Sequence, residues 1–519
     1  MDTPIDARPR VAWRLQALAI APLTLLFALL VVRFGLFLAS AAWAIGYPNE
    51  LDYGEGIVWE QMRWIVSGHG YGPIDVFPAI VFHYPPVYHV LTSLLSGATG
   101  LDGLTAGRLV SSISTLGAAA FAGGVTAQLV SGRTRTIQWT CGLAAALFAL
   151  SCYPVERWAP LMRVDMVATM LTLGGLCLSL AAVTRPRLIY LAAVLFVSAV
   201  YAKQTMIAAP AAAFGTLLVF RPRVALAGLL TSVGLGLVGL AWLEVSTGGG
   251  FIRHTLLYNI NRFEWEQLAQ IWRQAQDHLA FVLFAAFGAY LCWRGLSPAL
   301  GGGWNGLRRR LAEDPSAIRA LIALSYLLLA SAMLILVAKS GAAINYLIEW
   351  FLVVSIFVGV GLRPAAEFAF GGAKIPDLKF AVTFLVLLAL ALQTSRLPLP
   401  PRDLSRTPAE QAEVPALLAM VRAADKPVIS DDMVVVIKGG KRVVWESAIF
   451  AELGSTGVYD QRPFIQMIHR KAFAFFVTRH DRGNWLFDAR YNPEVAQALD
   501  ESYPRKRELA GFVVHLPAE

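Results

Sequence analysis

Two acids lie three residues apart in the run Asn49-Glu50-Leu51-Asp52-Tyr53-Gly54-Glu55-Gly56, and a third, Asp165, follows an arginine in Arg163-Val164-Asp165. A carboxylate within hydrogen-bond reach of a hydroxyl can take its proton while the oxygen attacks an electrophilic carbon. The anomeric carbon of a sugar suits that attack when the leaving group is good. A polyprenyl phosphate is such a group, provided cations or hydrogen-bond donors stabilise the charge that builds up on it. Between the two loop acids, Asp52 is favoured as base and Glu55 as its partner. The competing reading is a solvated loop with ordinary acids, and for Asp165 a first-turn acid that complements a helix dipole.

The groups able to meet a phosphate are His83, Arg108, Arg157, Arg163, Lys203, Arg253, Arg262 and Lys339, with Tyr84 beside His83. Lys203 interrupts a stretch that is apolar from Leu188 to Val200 and again from Met206. A charge embedded in apolar chain is a functional candidate by default, against a lysine that snorkels from a helix end. His69, His83 and His89 with Asp52 have no diagnostic metal spacing, so no metal site is assigned; a divalent cation at the phosphate stays compatible with the sequence.

The elements that must position these residues belong to a membrane. Of 519 residues, 56% are hydrophobic and only 15% are charged, whereas soluble domains carry about 25% charged residues. A hydrocarbon core about 30 Å thick needs roughly 20 apolar residues per helix. Such stretches recur near residues 15–40, 105–130, 136–152, 163–183, 188–203, 205–220, 224–246, 279–294, 318–338, 343–362 and 380–396, about eleven spans. The first is too long for a signal-peptide core and is read as a retained span. Basic clusters at Arg8, Arg10 and Arg14, at Arg133 and Arg135, at Arg185 and Arg187, at Arg221 and Arg223, at Arg308 to Arg310, and at Arg363, Lys374 and Lys379 all fit a cytoplasmic side. The N-terminus is then cytoplasmic, and the large loop 41–104 faces outward with Asp52 and Glu55. The formal charge of +9 forms no continuous stripe, which excludes nucleic acid as the partner.

Composition changes at the Pro-rich run Arg396-Leu397-Pro398-Leu399-Pro400-Pro401-Arg402. Residues 1–397 thus read as a membrane domain and 398–519 as a small soluble α/β domain on the outer side. Strands are expected at Pro427–Ser430, Met433–Ile437, Ala472–Thr478 and Gly511–Leu516, and helices at Pro408–Ala424 and Pro493–Ser502. Within the outer loop, Trp59, Met62, Ile65 and Val66 share a helix face, the pattern of a helix lying on the membrane surface.

Taken together, Asp52-Tyr53-Gly54-Glu55 after the first span, Ser67-Gly68, His83-Tyr84-Pro85-Pro86 and Arg108-Leu109-Val110-Ser111 resemble the N-terminal half of the GT-C glycosyltransferases, nearest to the protein mannosyltransferase and aminoarabinose transferase type. The pattern of that group is an Asp-Glu pair, a Lys-Pro-Pro motif and an Arg opening the next span; Arg163-Val164-Asp165 resembles its second acidic motif. The resemblance covers roughly residues 15–220. It implies a polytopic helical fold and inverting transfer of a sugar from a polyprenyl-phosphate donor to a lipid, glycan or protein acceptor, among membrane lipids at the outer face of the bacterial inner membrane. The same resemblance gives Asp52, Glu55 and Asp165 catalytic roles. Donor binding falls to His83, Tyr84, Arg108, Arg163, Lys203 and Arg262. This chain departs from the pattern twice: its loop acids are not adjacent, and Tyr84 stands where the Lys of Lys-Pro-Pro would be, so that His83, Arg108 or Lys203 must substitute.

A transporter or flippase of a lipid-linked precursor is the alternative. That class places polar residues and broken helices near the midplane and often shows internal repeats. Here no repeat is visible and the polar groups gather at one face.

Overall fold

In the computed structural model, which describes residues 8–259, 261–300, 303–371, 377–397 and 405–518, every apolar segment expected to span the membrane is helical. In chain order the first helices are α1 (Arg8–Gly46), α2 (Gly54–Val66), α3 (Val87–Thr99), α4 (Gly103–Leu129), α5 (Arg135–Ser151), α6 (Tyr153–Trp158), α7 (Asp165–Ala182), α8 (Leu188–Val200) and α9 (Ala208–Phe220). They continue as α10 (Pro222–Ser246), α11 (Gly250–Thr255), α12 (Ala269–Asp277), α13 (Leu279–Leu300), α14 (Gly303–Glu313), α15 (Pro315–Met333), α16 (Ile348–Gly361), α17 (Arg363–Gly371) and α18 (Asp377–Arg396). Lys374 and the linker from Pro398 to Arg402 lie outside the described residues.

Among the described residues seven helical stretches are long and apolar enough to cross a membrane: Ile20–Gly46, Gly103–Leu129, Asp165–Ala182, Pro222–Ser246, Leu279–Leu296, Pro315–Ala338 and Ile344–Phe370. This is fewer than the eleven expected, because several segments with the right hydropathy make short helices. Helices α8 and α9 have 13 residues each, a rise of about 20 Å against a core of about 30 Å. Their junction, residues 201–207, sits inside the bundle, and Lys203 within it is buried. Close helix contact relies on small residues. A Cβ on Gly123 of α4 would lie 2.7 Å from the carbonyl oxygen of Gly142 on α5, and one on Gly142 would lie 2.8 Å from that of Gly123. Helix α10 leaves Leu230, Val238, Trp242 and Val245 exposed, the surface expected where lipid is the solvent.

The C-terminal α/β unit comprises α19 (Pro408–Ala423), β1 (Ile429–Ser430), α20 (Met433–Lys438), α21 (Ser447–Ser455), α22 (Arg462–His469), β2 (Phe476–Thr478), α23 (Trp485–Asp488), α24 (Pro493–Ser502), β3 (Arg505–Leu509) and β4 (Phe512–Leu516). Its sheet has the order β1-β2-β4-β3, parallel only between β1 and β2. The run Met433–Ile437, expected as a strand, is the helix α20. Asp432 caps it by accepting from the Val435 amide at 2.9 Å, which overrides the β preference of its valines. Strand β3 was not expected, because its exposed Arg505-Lys506-Arg507-Glu508 reads as loop; such charge is how an edge strand is protected.

Helix α2 does not lie on a membrane surface. Its residues Gly54 to Met62 are all buried, and Ile57, Val58 and Met62 share one apolar core with Met433 to Val436 of α20 and with Val477 and Val514 of the sheet. The first large loop is therefore roofed by the C-terminal unit.

Candidate active site

The eight residues around Asp52 fold into a tight entry to α2. Glu55 N donates to Asp52 O at 2.9 Å, and Asp52 Oδ1 accepts from Gly54 N at 3.1 Å and from Arg163 Nη1 at 3.1 Å. The two glycines of the motif are required by close approach. A Cβ on Gly54 would come within 1.2 Å of Arg163 Nη1, and one on Gly56 within 2.5 Å of Met433 Cβ. Gly54 makes room for the guanidinium, and Gly56 for the C-terminal unit. Gly54→Ala is expected to displace Arg163 and reproduce the functional defect of Arg163→Ala, with a thermal stability loss of about 1–3 kcal/mol. Activity and melting measured side by side on the two variants test this.

The three expected catalytic acids occupy different environments. The Asp52 side chain keeps 26% of its surface exposed, and among the described residues no hydrogen bond falls on its Oδ2. Glu55 is fully buried. Its Oε1 accepts from Arg108 Nε at 2.8 Å and Met162 N at 2.9 Å; its Oε2 accepts from Arg108 Nη2 at 2.6 Å, Leu51 N at 2.8 Å and Asp52 N at 3.3 Å. Asp165, the first residue of α7, is also buried, its Oδ1 bonded to Lys203 Nζ at 2.6 Å and Asn345 Nδ2 at 2.9 Å, its Oδ2 to Trp158 Nε1 at 2.8 Å. Asp52 alone of the three has an oxygen to offer a substrate.

The expected phosphate-binding groups divide in the same way. Asp102 caps α4 by accepting from Leu104 N and Thr105 N, which puts Arg108 in the second turn, facing the loop. Besides its two bonds to Glu55, Arg108 donates from Nη1 to Ala44 O at 2.7 Å and Tyr47 O at 2.6 Å, and from Nη2 to Asn49 O at 2.8 Å. A guanidinium has five N–H donors. All five are spent holding the end of α1 to α2, so Arg108 has none left for a phosphate. Arg262 lies outside the cluster as well; it is largely exposed, and its amide and side chain pair with Glu452 of α21 at 2.9 and 3.6 Å.

The remaining groups converge. Arg163 packs 5.3 Å from the Trp158 ring, and its Nε is buried with no partner. Tyr84 is half-buried and electrostatically coupled to Arg163, Asp165, Lys203 and Tyr346; burial pushes its phenol up. Lys203 Nζ sits 4.6 Å above the Tyr346 ring. His83 is pushed down to about 3 by burial and by nearby Lys339, His254 and Arg163, so it is neutral at physiological pH. Lys339 follows the last turns of the α15 segment and donates to Asn259 Oδ1 at 2.6 Å. Arg163 and Lys203 each have a carboxylate partner; among the described residues Lys339 has none within ion-pair distance. Burial and the neighbouring Lys203 pull the Lys339 ammonium down to about 8.

An apolar groove of about 760 Å³ opens beside this cluster. Its walls come from α8, α9, α10 and α11, through residues such as Phe196, Phe214, Leu229 and Phe251, and Pro85 and Gln204 also line it. Gln204 Nε2 donates to His83 O at 2.9 Å, which joins the groove to the polar cluster. Among the described residues no group of three His, Cys, Asp or Glu side chains could hold a metal ion.

One carboxylate here had no place in the sequence reading. Glu446 immediately precedes α21 without a side-chain capping bond to it, beside Ser447, whose Oγ lies 3.2 Å from Tyr53 Oη. It is 6% exposed and its Oε2 has no hydrogen-bond partner. The only signal in the sequence is an acid ending the apolar run Val443-Val444-Trp445.

No family model matches the chain, and no curated protein matches it by sequence. Solved structures do match in three dimensions. ArnT from Cupriavidus metallidurans in the apo state is similar over 93% of this chain and 97% of that chain, with 15% identity and a TM-score of 0.55. The same protein bound to undecaprenyl phosphate is similar over 94% and 97%, with 14% identity and a TM-score of 0.55. The apo oligosaccharyltransferase of Archaeoglobus fulgidus is similar over 88% of this chain and 69% of that chain, with 11% identity and a TM-score of 0.53. What the chain shares with these structures is the GT-C fold, a polytopic helical membrane architecture, to which this chain's own C-terminal four-stranded sheet belongs in addition.

Proposed function

We propose that this chain is an inverting glycosyltransferase that moves a sugar from a polyprenyl-phosphate donor to a lipid, glycan or protein acceptor at the outer face of the bacterial inner membrane. The carrying observation is a carboxylate, Asp52, with an oxygen that bears no hydrogen bond among the described residues, paired with Arg163 in a cationic cluster that Gln204 joins to an apolar groove. The groove suits a polyprenyl chain and the cluster a phosphate. Asp52 Oδ2 takes the proton of the acceptor as the new C1–O bond forms and the C1–O bond to phosphate breaks on the opposite face, which inverts the anomeric centre. Arg163 stays on Asp52 Oδ1 and orients it. Glu55, Asp165, Arg108 and Lys203 act by holding the site: Glu55 with Arg108 fixes the loop, and Asp165 with Lys203 fixes the start of α7 against residues 201–207.

Lys339 takes the part of the lysine missing at Tyr84, because it is a half-buried cation beside His83 with no carboxylate within ion-pair distance among the described residues, and it can neutralise the departing phosphate. His83 enters as a neutral imidazole. Undecaprenyl phosphate binding to the full-length protein in nanodiscs tests this reading. Lys339→Ala should weaken binding about ten- to a hundredfold, the value of a hydrogen bond to a charged group. In the free protein the ammonium loses its proton near pH 8, and bound phosphate raises that value. Wild-type affinity should therefore be level between about pH 7 and 8, where the phosphate is a dianion, and fall above pH 8, while Lys339→Arg stays level there. Binding that ignores both the substitution and pH counts against Lys339.

A further inference from the structure

Beneath the C-terminal unit, Tyr53, the residue that precedes α2, meets the start of α21, and the contact is polar on both sides. Tyr53 Oη is bonded to Ser447 Oγ and accepts from the Ala448 amide at 3.3 Å, while the Arg490 guanidinium stacks 3.9 Å from the Tyr53 ring centroid. Asp431 locks this corner, accepting from Ser447 Oγ at 2.9 Å, Arg490 Nη1 at 2.9 Å, Arg479 N at 2.9 Å and Tyr491 Oη at 3.2 Å. Every acid and base in the corner is matched except Glu446. Its carboxylate is buried, its Oε2 has no partner, and it feels Arg163, which holds Asp52, on one side and Arg490 on the other. A buried carboxylate left unbonded is costly. The cost is recovered if a ligand supplies the donor.

We propose that Glu446 is the acceptor-binding carboxylate of this site, so that the C-terminal unit completes the active site by holding a hydroxyl of a polyol acceptor, such as a sugar of a glycan or glycolipid, next to Asp52. The inference rests on the glycosyl-transfer reading above. A hydroxyl is the donor that the transfer reading brings here; Arg163 and Arg490 are already paired with Asp52 and Asp431, which leaves the Glu446 carboxylate to accept from the acceptor. Glu446 and Asp52 are linked through Arg163, which pairs with Asp52 and acts electrostatically on Glu446, and the groove assigned to the polyprenyl chain is lined by neither acid. No proton is transferred to Glu446; it accepts a hydrogen bond, and Asp52 remains the base.

Burial pushes the Glu446 carboxyl up to about 7, with Arg163 and Arg490 opposing the rise and Tyr53 and Asp431 the other ionisable groups at this corner. As an ionised carboxylate is the better acceptor, acceptor binding should strengthen as pH rises through 7.

The test uses full-length protein in nanodiscs, a chloroform–methanol extract of the producing bacterium's membranes as the source of donor and acceptor, and undecaprenyl phosphate as the donor-side probe. Glu446→Gln should raise the acceptor level for half-maximal rate about tenfold or more, abolish the dependence on pH near 7, and leave undecaprenyl phosphate affinity within about twofold; Glu446→Asp should restore part of the acceptor affinity. An unchanged acceptor dependence and pH profile in Glu446→Gln would overturn the proposal. So would a parallel loss of undecaprenyl phosphate binding, because Glu446 would then merely seat the C-terminal unit. If the wild-type protein binds undecaprenyl phosphate but transfers no sugar, or if Asp52→Asn is fully active, the transfer reading itself fails and this inference falls with it; an active wild type, an inactive Asp52→Asn and a normal Glu446→Gln would overturn the acceptor role alone.

Discussion

Asp52→Asn should lower sugar transfer by about 10²- to 10⁴-fold, the usual contribution of a positioned general base, while leaving undecaprenyl phosphate binding and thermal stability near wild type. The substitution is well controlled by the geometry. An asparagine keeps an oxygen to accept from Gly54 N and Arg163 Nη1, as Asp52 Oδ1 does, but its amide nitrogen cannot take a proton in place of Oδ2. Asp52 is also partly exposed, and its partner Arg163 keeps a hydrogen bond to the asparagine oxygen. The check is an initial-rate assay alongside binding and melting of the same preparation. Transfer within a few fold of wild type would dismiss Asp52 as the base.

Arg108→Ala should act in the opposite way, through stability. Its ion pair with Glu55 is wholly buried on both sides, and removing one member of such a pair costs about 3–5 kcal/mol because the other is left as an uncompensated charge. Three carbonyl oxygens, of Ala44, Tyr47 and Asn49, lose their donors in the same step. Arg108→Lys should rescue little, since an ammonium cannot reproduce the planar five-donor fork. Detergent-solubilised protein is expected to melt far earlier or to be degraded in cells. A variant that melts normally yet fails to bind undecaprenyl phosphate would instead make Arg108 a donor-binding residue.

The contrast between these two predictions marks where sequence reading reached its limit. Asp52 and Glu55 look alike in the chain, two acids near one helix start. What separates them is that Glu55 points toward α4 and meets Arg108, 53 positions later, whereas Asp52 points out of the turn. Motif spacing carries no information about that direction. In the same way Arg108, Arg163, Lys203, Arg262 and Lys339 are equal as cations in the sequence. Only their partners sort them: saturated for Arg108, paired for Arg163 and Lys203, exposed at an edge for Arg262, and free of a carboxylate for Lys339.

Some errors had a local cause. The β-branched run Met433–Ile437 has strand propensity, and a single cap at Asp432 with burial against α2 made it helical. Hydropathy does not fix helix length: the apolar segments at α8 and α9 make helices of 13 residues, and the turn between them places Lys203 on Asp165 and Gln204 on His83 O.

By itself the sequence determined the membrane class, the helical identity of each apolar segment, the presence of a C-terminal α/β unit and the loop in which the chemistry was to be sought. These follow from local composition and periodicity, which the bilayer and backbone hydrogen bonding read directly. The tertiary structure alone decided which acid keeps a free oxygen, why Gly54 and Gly56 must be glycine, and that Glu446, almost four hundred residues away from Asp52 in the chain, lies over the same loop. Those are contacts between distant segments, set by packing and charge pairing rather than by any residue's neighbours in the chain.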